Sequence, residues 1–271
     1  MMKFTTLVYP VLFAASSLTA LAEKHVLAKG DGLVPVGKEL TLKTEFTLSN
    51  GKMMVSAGGQ EVEAQMSMTR LEEERLKRVS DTEIRFTQTK SDQTVNMKMM
   101  GQEMPQPKEV DPILNKEVIY TKSGEAWVGK LAEGEPEGAA LTKIIEKATS
   151  LTNKNSIKMY GSEPRAIGDE WEGEPSAFGM GGNETTGKIN LKFLRVEEFQ
   201  GEKCAVLEVK INIKGQDVPG MEIGMDMNGT VHRSLANLVD LKVEATGTMT
   251  MDNPQMKMKG PLVIKMTSTL K

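Results

Sequence analysis

The sequence predicts a mainly β protein: a curved antiparallel sheet, a half-open barrel, built from two related meanders with one principal covering helix around 139–152. Three observations carry this prediction. Apolar and polar residues alternate at period two over most of the chain, as in antiparallel strands with one buried face. Only one segment has a convincing helical period. Short frames also recur in the two halves: Gly58-Gly59-Gln60-Glu61 matches Gly181-Gly182-Asn183-Glu184, and Gly101 to Pro105 matches Gly215 to Pro219.

The composition is globular, with 271 residues, 26% charged and 39% hydrophobic. It excludes a collagen-like repeat, a disordered tail and a polytopic membrane protein. With 34 basic and 37 acidic residues, the net charge of −3 gives no basic surface for nucleic acid. The anomaly is methionine: 20 Met stand against 7 Phe, 3 Tyr and 2 Trp.

Residues 1–22 read as a secretory signal peptide, with Lys3 as the positive n-region and Ala20-Leu21-Ala22 before the cut. The uncharged run Phe4–Ala22 is close to the about 20 residues of a membrane span. Pro10, Ser16, Ser17 and three Thr favour cleavage, leaving no integral span. The chain is therefore expected to be exported, to a bacterial periplasm or outside the cell. Residues 23–34 follow as a flexible segment, and 35–271 as a single β-rich domain.

Within that domain, 35–128 form the first meander. Leu40, Leu42, Phe46 and Leu48 alternate with polar residues, as do Ala64, Met66 and Met68, then Val95, Met97 and Met99. The charged run Leu71–Arg78 reads as a solvated strand end or a guarded edge. Residues 129–160 hold the helix and its connection. Leu141, Ile144, Ile145, Ala148 and Leu151 mark the expected buried face, and Glu133–Glu137 precede Lys143 and Lys147 in the order the helix dipole favours.

The Gly-rich stretch 161–182, carrying Trp171, Phe178 and Met180, is too long for a tight turn. The second meander occupies 183–271. Its clearest alternation is Ala205, Leu207, Val209, Ile211 and Ile213, followed by Met221, Ile223, Met225 and Met227. The last hairpin is expected to turn over four residues, Asp252–Gln255, pairing Met251 with Met256 and Met249 with Met258.

Three short frames, Val36-Gly37-Lys38-Glu39-Leu40, Ile167-Gly168-Asp169-Glu170-Trp171 and Gly201-Glu202-Lys203-Cys204-Ala205-Val206-Leu207, together with the Met-rich strands, look like those of bacterial exported β-proteins. The arrangement of long strands with one covering helix resembles the periplasmic lipoprotein-carrier and lipid-carrier half-barrels. That resemblance implies a half-barrel fold and carries over no functional residue.

Catalysis finds little vocabulary. A Ser or Cys nucleophile needs a base in reach, and the only imidazoles are His25, in the mobile start, and His232, at a strand end. Cys204 sits in an alternating strand as a small buried thiol and permits no intramolecular disulfide. The expectation is a protein that is not an enzyme, with no cofactor and no assigned metal site. Five M-x-M pairs put thioethers on one strand face, the last hairpin brings Met249, Met251, Met256 and Met258 into one patch, and Met225 and Met227 join them as candidate ligand contacts. Flexible Met surfaces adapt to varied apolar ligands, so a lipid or similar molecule on this concave face, with Trp171 and Phe178 above it, is the leading reading. Two alternatives stay open. Soft thioethers also suit a Cu(I)-type ion, and the sheet could serve as a structural or interaction module for a cell-envelope partner.

Overall fold

The structure, a computed structural model, describes residues 23–57, 60–104, 110–178, 185–218 and 220–271. The leader 1–22, Met180, the pair Gly58-Gly59 and the whole frame Gly181–Glu184 lie outside the described residues.

Alternation produces a 12-stranded antiparallel sheet. Its first meander comprises β2 (Glu39–Ala57), β3 (Gln60–Ser80), β4 (Glu83–Met99), the short β5 (Gln102–Met104), β6 (Glu117–Ser123) and β7 (Ala126–Leu131). The second comprises β9 (Glu170–Gly173), β10 (Thr186–Phe199), β11 (Glu202–Val218), β12 (Met221–Ser234), β13 (Asp240–Asn253) and β14 (Met256–Leu270). Across the sheet the order is β7-β6-β4-β3-β2-β14-β13-β12-β11-β10-β9, with β5 on β4. The two meanders thus join where β2 pairs with β14, and the edges β7 and β9 do not meet. The sheet is curved and open. At 21 residues, β3 alone reaches about 70 Å.

Helix α1 (Ala139–Thr152) matches its predicted span, but its buried face is narrower than expected. Ala140, Ile144, Ala148 and Leu151 are buried, whereas Leu141 and Ile145 are 42% and 55% exposed. The helix covers only the β7 end of the sheet, so a single stripe finds partners, among them Ile84, Phe86, Tyr120 and Trp127. Lys143 and Lys147 serve ion pairs with Asp111 and Glu74 rather than the helix dipole. Neither terminal turn carries an opposite charge.

Four further expectations are corrected. The run Leu71–Arg78 is no edge: it lies inside β3, between β2 and β4. There Glu72 accepts bonds from Arg70 and Gln88, and Glu74 from Lys147, so the charges are matched within the fold. Residues 23–34 are packed rather than loose. β1 (Lys24–His25) pairs with β8 (Arg165–Ala166), and Leu27 and Ala28 are fully buried. The Gly-rich stretch carries β8, β9 and a 3-10 turn at Pro175–Phe178, preceded by a second short helix, α2 (Asn155–Tyr160). Finally, the last hairpin turns over two residues, Pro254-Gln255, because Asn253 pairs with Met256 and its side chain accepts the Gln255 N–H. Met251 therefore faces Met258 and Met249 faces Gly260. The shift is by two residues, so every side chain keeps its predicted face.

One bulge governs the seam. Between Leu48 and Gly51 the β2 register shifts, with Asn50 at φ 49°. A Cβ on Gly260 would lie 2.7 Å from the Gly51 Cα, so the glycine at 260 lets β2 and β14 approach there.

Candidate functional site

The apolar face of the sheet has two ends of different chemistry. At the end near the hairpin tips, the registers line up methionines across neighbouring strands. Met251 faces Met258, Met258 faces Met53, Met53 faces Ala64, and Ala64 faces Met99. A second row runs from Met66 to Met97 to Met104. Met225 faces Met249 on β12 and β13. All six candidate methionines belong to one core cluster. Met227, Met249 and Met258 are buried, and Met225, Met251 and Met256 pack half-buried against the same core. Unbranched thioethers fill the irregular space beneath a strongly curved sheet where stiffer side chains leave gaps. Among the described residues, no group of three His, Cys, Asp or Glu is placed to hold a metal ion.

Trp171 and Phe178 lie at the opposite edge, apart from that patch in the strand order. Trp171 pairs with Leu191 on β10, and its indole N–H donates to the Met159 carbonyl at 3.3 Å. Arg165 stacks on its ring at 5.0 Å. Phe178 ends the 3-10 turn, half-buried against the main core. These contacts make the two aromatics part of the packed edge beside α2.

At the other end of the strands lies a hollow of about 300 Å³, which the alternation did not reveal. Leu40 and Leu42 of β2, Leu76 of β3, Val239 and Met266 supply its apolar wall. Its remaining wall is polar and organised around Arg233, which is 2% exposed. The β12–β13 register shifts beside Arg233, and this shift sets Asp240 directly across from it. The guanidinium donates to Asp240 Oδ1 at 2.6 Å, to the Leu27 carbonyl and to Ser156 Oγ. It also lies over the Tyr160 ring at 4.0 Å, and the Tyr160 hydroxyl donates to Asp240 Oδ2 at 2.9 Å. Burial, reinforced by the Asp240 charge, holds the Tyr160 hydroxyl well above the usual phenol range, so it remains a donor.

Two other groups on this wall lack what Arg233 has. Ser268 is 1% exposed and Asn155 Oδ1 is buried, yet neither Ser268 Oγ nor Asn155 Oδ1 has a hydrogen-bond partner among the described residues. Both residues line the hollow. The sequence did carry a signal for part of this. Arg233 falls in the same period-two column as Met225, Met227 and Val231, and Ser268 in that of Met258, Leu262 and Met266. A polar residue in an apolar column is a buried polar group that needs a partner.

The residues considered for catalysis are elsewhere. His25 packs edge-on against Phe193, with ring centroids 5.7 Å apart, instead of lying in a mobile start. The His232 Nε2 is 2.7 Å from Glu197, and its ring lies against Phe199, so it is a held side chain rather than a free surface one. Cys204 is fully buried, and burial pushes its thiol up from 9.0 to about 11, the reverse of an activated nucleophile.

No protein-family model matches this chain, and no curated protein sequence matches it. Among solved structures it is similar to lipovitellin, with 9% identity and a TM-score of 0.45 over 88% of this chain. The chain spans only 26% of that lipovitellin chain. It is also similar to a LolA superfamily protein from Nitrosomonas europaea, with 9% identity and a TM-score of 0.17, covering 89% of each chain. A third likeness is to an outer membrane lipoprotein-sorting protein domain from Vibrio parahaemolyticus, with 13% identity and a TM-score of 0.19, covering 90% of this chain and 87% of that one. Among the described residues, no helix is long and apolar enough to cross a membrane.

Proposed function

We propose that this is a non-catalytic, exported protein that binds a lipid or another apolar ligand within the curve of its sheet. The observation that carries the reading is the open sheet itself. Its edges do not meet, α1 packs on the β7 end, and a hollow of about 300 Å³ remains against the apolar face. That volume stands at the lower end of the about 300–1,000 Å³ of small-ligand sites. The half-buried Met225, Met251 and Met256 extend the same face with side chains that re-pack around varied shapes, and Trp171 and Phe178 bound it at the far edge.

The test is native mass spectrometry of the protein isolated from its own cells, with organic extraction of what it carries. After delipidation, N-phenyl-1-naphthylamine fluorescence measures what it takes up again. A co-purifying lipid and saturable one-to-one uptake are expected. An empty protein that gives no more fluorescence than a fully packed control domain refutes the reading.

A second reading is favoured by the Met251–Met258–Met53 register. Three thioethers on adjacent strands form a soft donor set of the kind that selects Cu(I). Competition against a Cu(I) chelator, with and without leucine at Met251 and Met258, decides it. Binding no tighter than the chelator, unchanged by the substitutions, removes it and leaves a module for an envelope partner as the remaining alternative.

A further inference from the structure

We infer that residues 31–36 are a gate over the hollow beside Arg233, that the side chain of Arg78 is its latch, and that an apolar ligand enters when the latch lets go. This rests on the proposal that the protein binds an apolar ligand, and it adds the route of entry.

The segment lies between two pivots. Gly30 and Gly37 have φ of 65° and 82°, and a Cβ built on either would meet nothing within 4 Å. Both are unpacked and stand where glycine turns at no steric cost. Outside the pivots the chain is fixed. Leu27 and Ala28 are buried in the main core, and the Gly37 N–H donates to the Arg78 carbonyl at 2.8 Å. Between the pivots, Gly32, Leu33 and Val34 form one wall of the hollow.

One side chain holds this segment closed. Apart from bonds within three residues along the chain, every hydrogen bond that residues 31–36 make among the described residues goes to Arg78. Its Nη1 donates to Asp31 Oδ1 at 3.1 Å and to the Val34 carbonyl at 3.2 Å, and its Nη2 donates to Asp31 Oδ2 at 2.7 Å. Arg78 does not depend on the gate for its counter-charge. Nη2 also donates to Asp81 at 3.1 Å, and Nε to the Ser80 carbonyl at 3.4 Å. Releasing Asp31 therefore strands no buried cation, which is what makes other buried ion pairs so costly to break.

The apolar side of the gate matches a ligand. Leu33 packs half-buried against the α1 core, and Val34 is buried with Val239 and Leu241. A hydrocarbon chain covers the apolar surface that these two side chains uncover when the segment lifts, so binding offsets the loss. The closed hollow, at about 300 Å³, is at the lower end of the range for small-ligand sites, and lifting its wall adds room for a longer chain.

The experiment uses the delipidated mature protein and N-phenyl-1-naphthylamine. Stopped-flow fluorescence gives the uptake rate as the dye concentration rises, and hydrogen exchange at Val34 reports the segment in the absence of dye. A gate makes the uptake rate level off at the rate of opening. Asp31→Asn removes the charge from the latch, and it is expected to raise both the plateau and the Val34 exchange about tenfold, the worth of a hydrogen bond to a charged group. Gly32→Ala would set a Cβ 2.7 Å from the Ser156 Cβ, so it pushes the segment off α2 and is expected to act in the same direction. Asp81 meets the same Arg78 nitrogen from outside the gate with an 87% exposed side chain, so Asp81→Asn is expected to leave both readings within about twofold.

Faster exchange at Val34 with unchanged uptake in Asp31→Asn and Gly32→Ala describes a segment that opens without admitting ligand, and it overturns the inference. So does unchanged exchange in both variants, or an Asp81→Asn effect equal to that of Asp31→Asn. A protein that exchanges as expected but takes up no dye overturns the underlying ligand-binding proposal instead.

Discussion

Replacing Arg233 with methionine tests the organisation of the polar wall most directly. The side chain keeps its unbranched, flexible stem, is shorter by the guanidinium, and loses its charge. The guanidinium is 2% exposed, and its removal strands three groups: the Leu27 carbonyl, Ser156 Oγ and the Asp240 carboxylate. A buried carbonyl left unpaired costs about 1–3 kcal/mol, and the desolvated contact over Tyr160 adds about 2 kcal/mol or less. Breaking one side of a buried ion pair costs about 3–5 kcal/mol in all. Asp240 keeps 25% side-chain exposure, so water compensates part of its loss, and about 3 kcal/mol is the working figure. In a chain of this size that lowers Tm by about 6–12 °C.

Asp240→Asn is the companion variant. It leaves the more deeply buried partner charged and unmatched, so it is expected to cost more, about 5 kcal/mol. The assay is urea unfolding followed by far-ultraviolet circular dichroism, with the slope held constant between variants. Limited proteolysis of Arg233→Met adds a local readout, because Leu27 lies in the N-terminal strap and its release exposes cleavage sites in 23–34. A loss below about 1 kcal/mol in Arg233→Met, with the strap still protected, refutes the assignment of Arg233 as the organising cation.

The other predictions are simpler. Ile144→Ala is expected to cost about 2–5 kcal/mol and Ile145→Ala less than about 0.5 kcal/mol, because the first is 1% exposed and the second 55%; equal urea midpoints contradict the helix orientation. Gly247→Ala places its Cβ 2.0 Å from the Asp226 carbonyl oxygen, so β12 and β13 must part, at about 1–3 kcal/mol or more; an unchanged Tm contradicts that packing. Cys204 sets an alkaline limit. Between pH 9 and 11 the unfolded chain releases a proton that the folded chain keeps, so stability falls as pH rises, by at most about 1.4 kcal/mol per unit from this group. Cys204→Ala is expected to shift the onset of the fall toward about pH 10, where the tyrosines of the unfolded chain lose protons that the buried Tyr120 and Tyr160 keep, and an identical pH profile in both proteins argues against it.

The strands were legible because alternation is local: Ala205 to Ile213 and the methionine pairs announce themselves within a few residues. The last hairpin kept its faces and missed its pairing by two, since Asp252 and Asn253 look like turn residues and are instead strand residues locked by the Asn253–Gln255 bond. Helix α1 was legible in extent but not in orientation. Leu141 and Ile144 fit the same stripe, and only the narrow strip of β7 beneath decides which one is covered. The hollow was hidden for a different reason. Leu40, Leu76, Met159, Val239 and Met266 come from five separate segments, and no window of sequence contains two of them in contact. Arg233 and Ser268 were the readable trace, as polar residues in apolar columns. The N-terminal strap left no such trace, because Leu27 and Ala28 are buried in a core cluster whose other members lie far along the chain.

The pairing of β2 with β14 carries a consequence for how the protein comes into being. Leu40 pairs with Leu270 and Leu48 with Leu262, so the central seam links residues more than two hundred positions apart in the chain. Each meander is built from neighbours and can begin to form as it is made, but the contact that unites them waits for the final strand and carries a long loop-closure cost. Until β14 arrives, β2 and β13 are both unpaired edges, long and partly apolar, of the kind that recruits other chains. Time is thus a hazard for this fold: the interval between synthesis of β2 and arrival of β14 is the period in which a chain of this design depends on being held apart from its own copies.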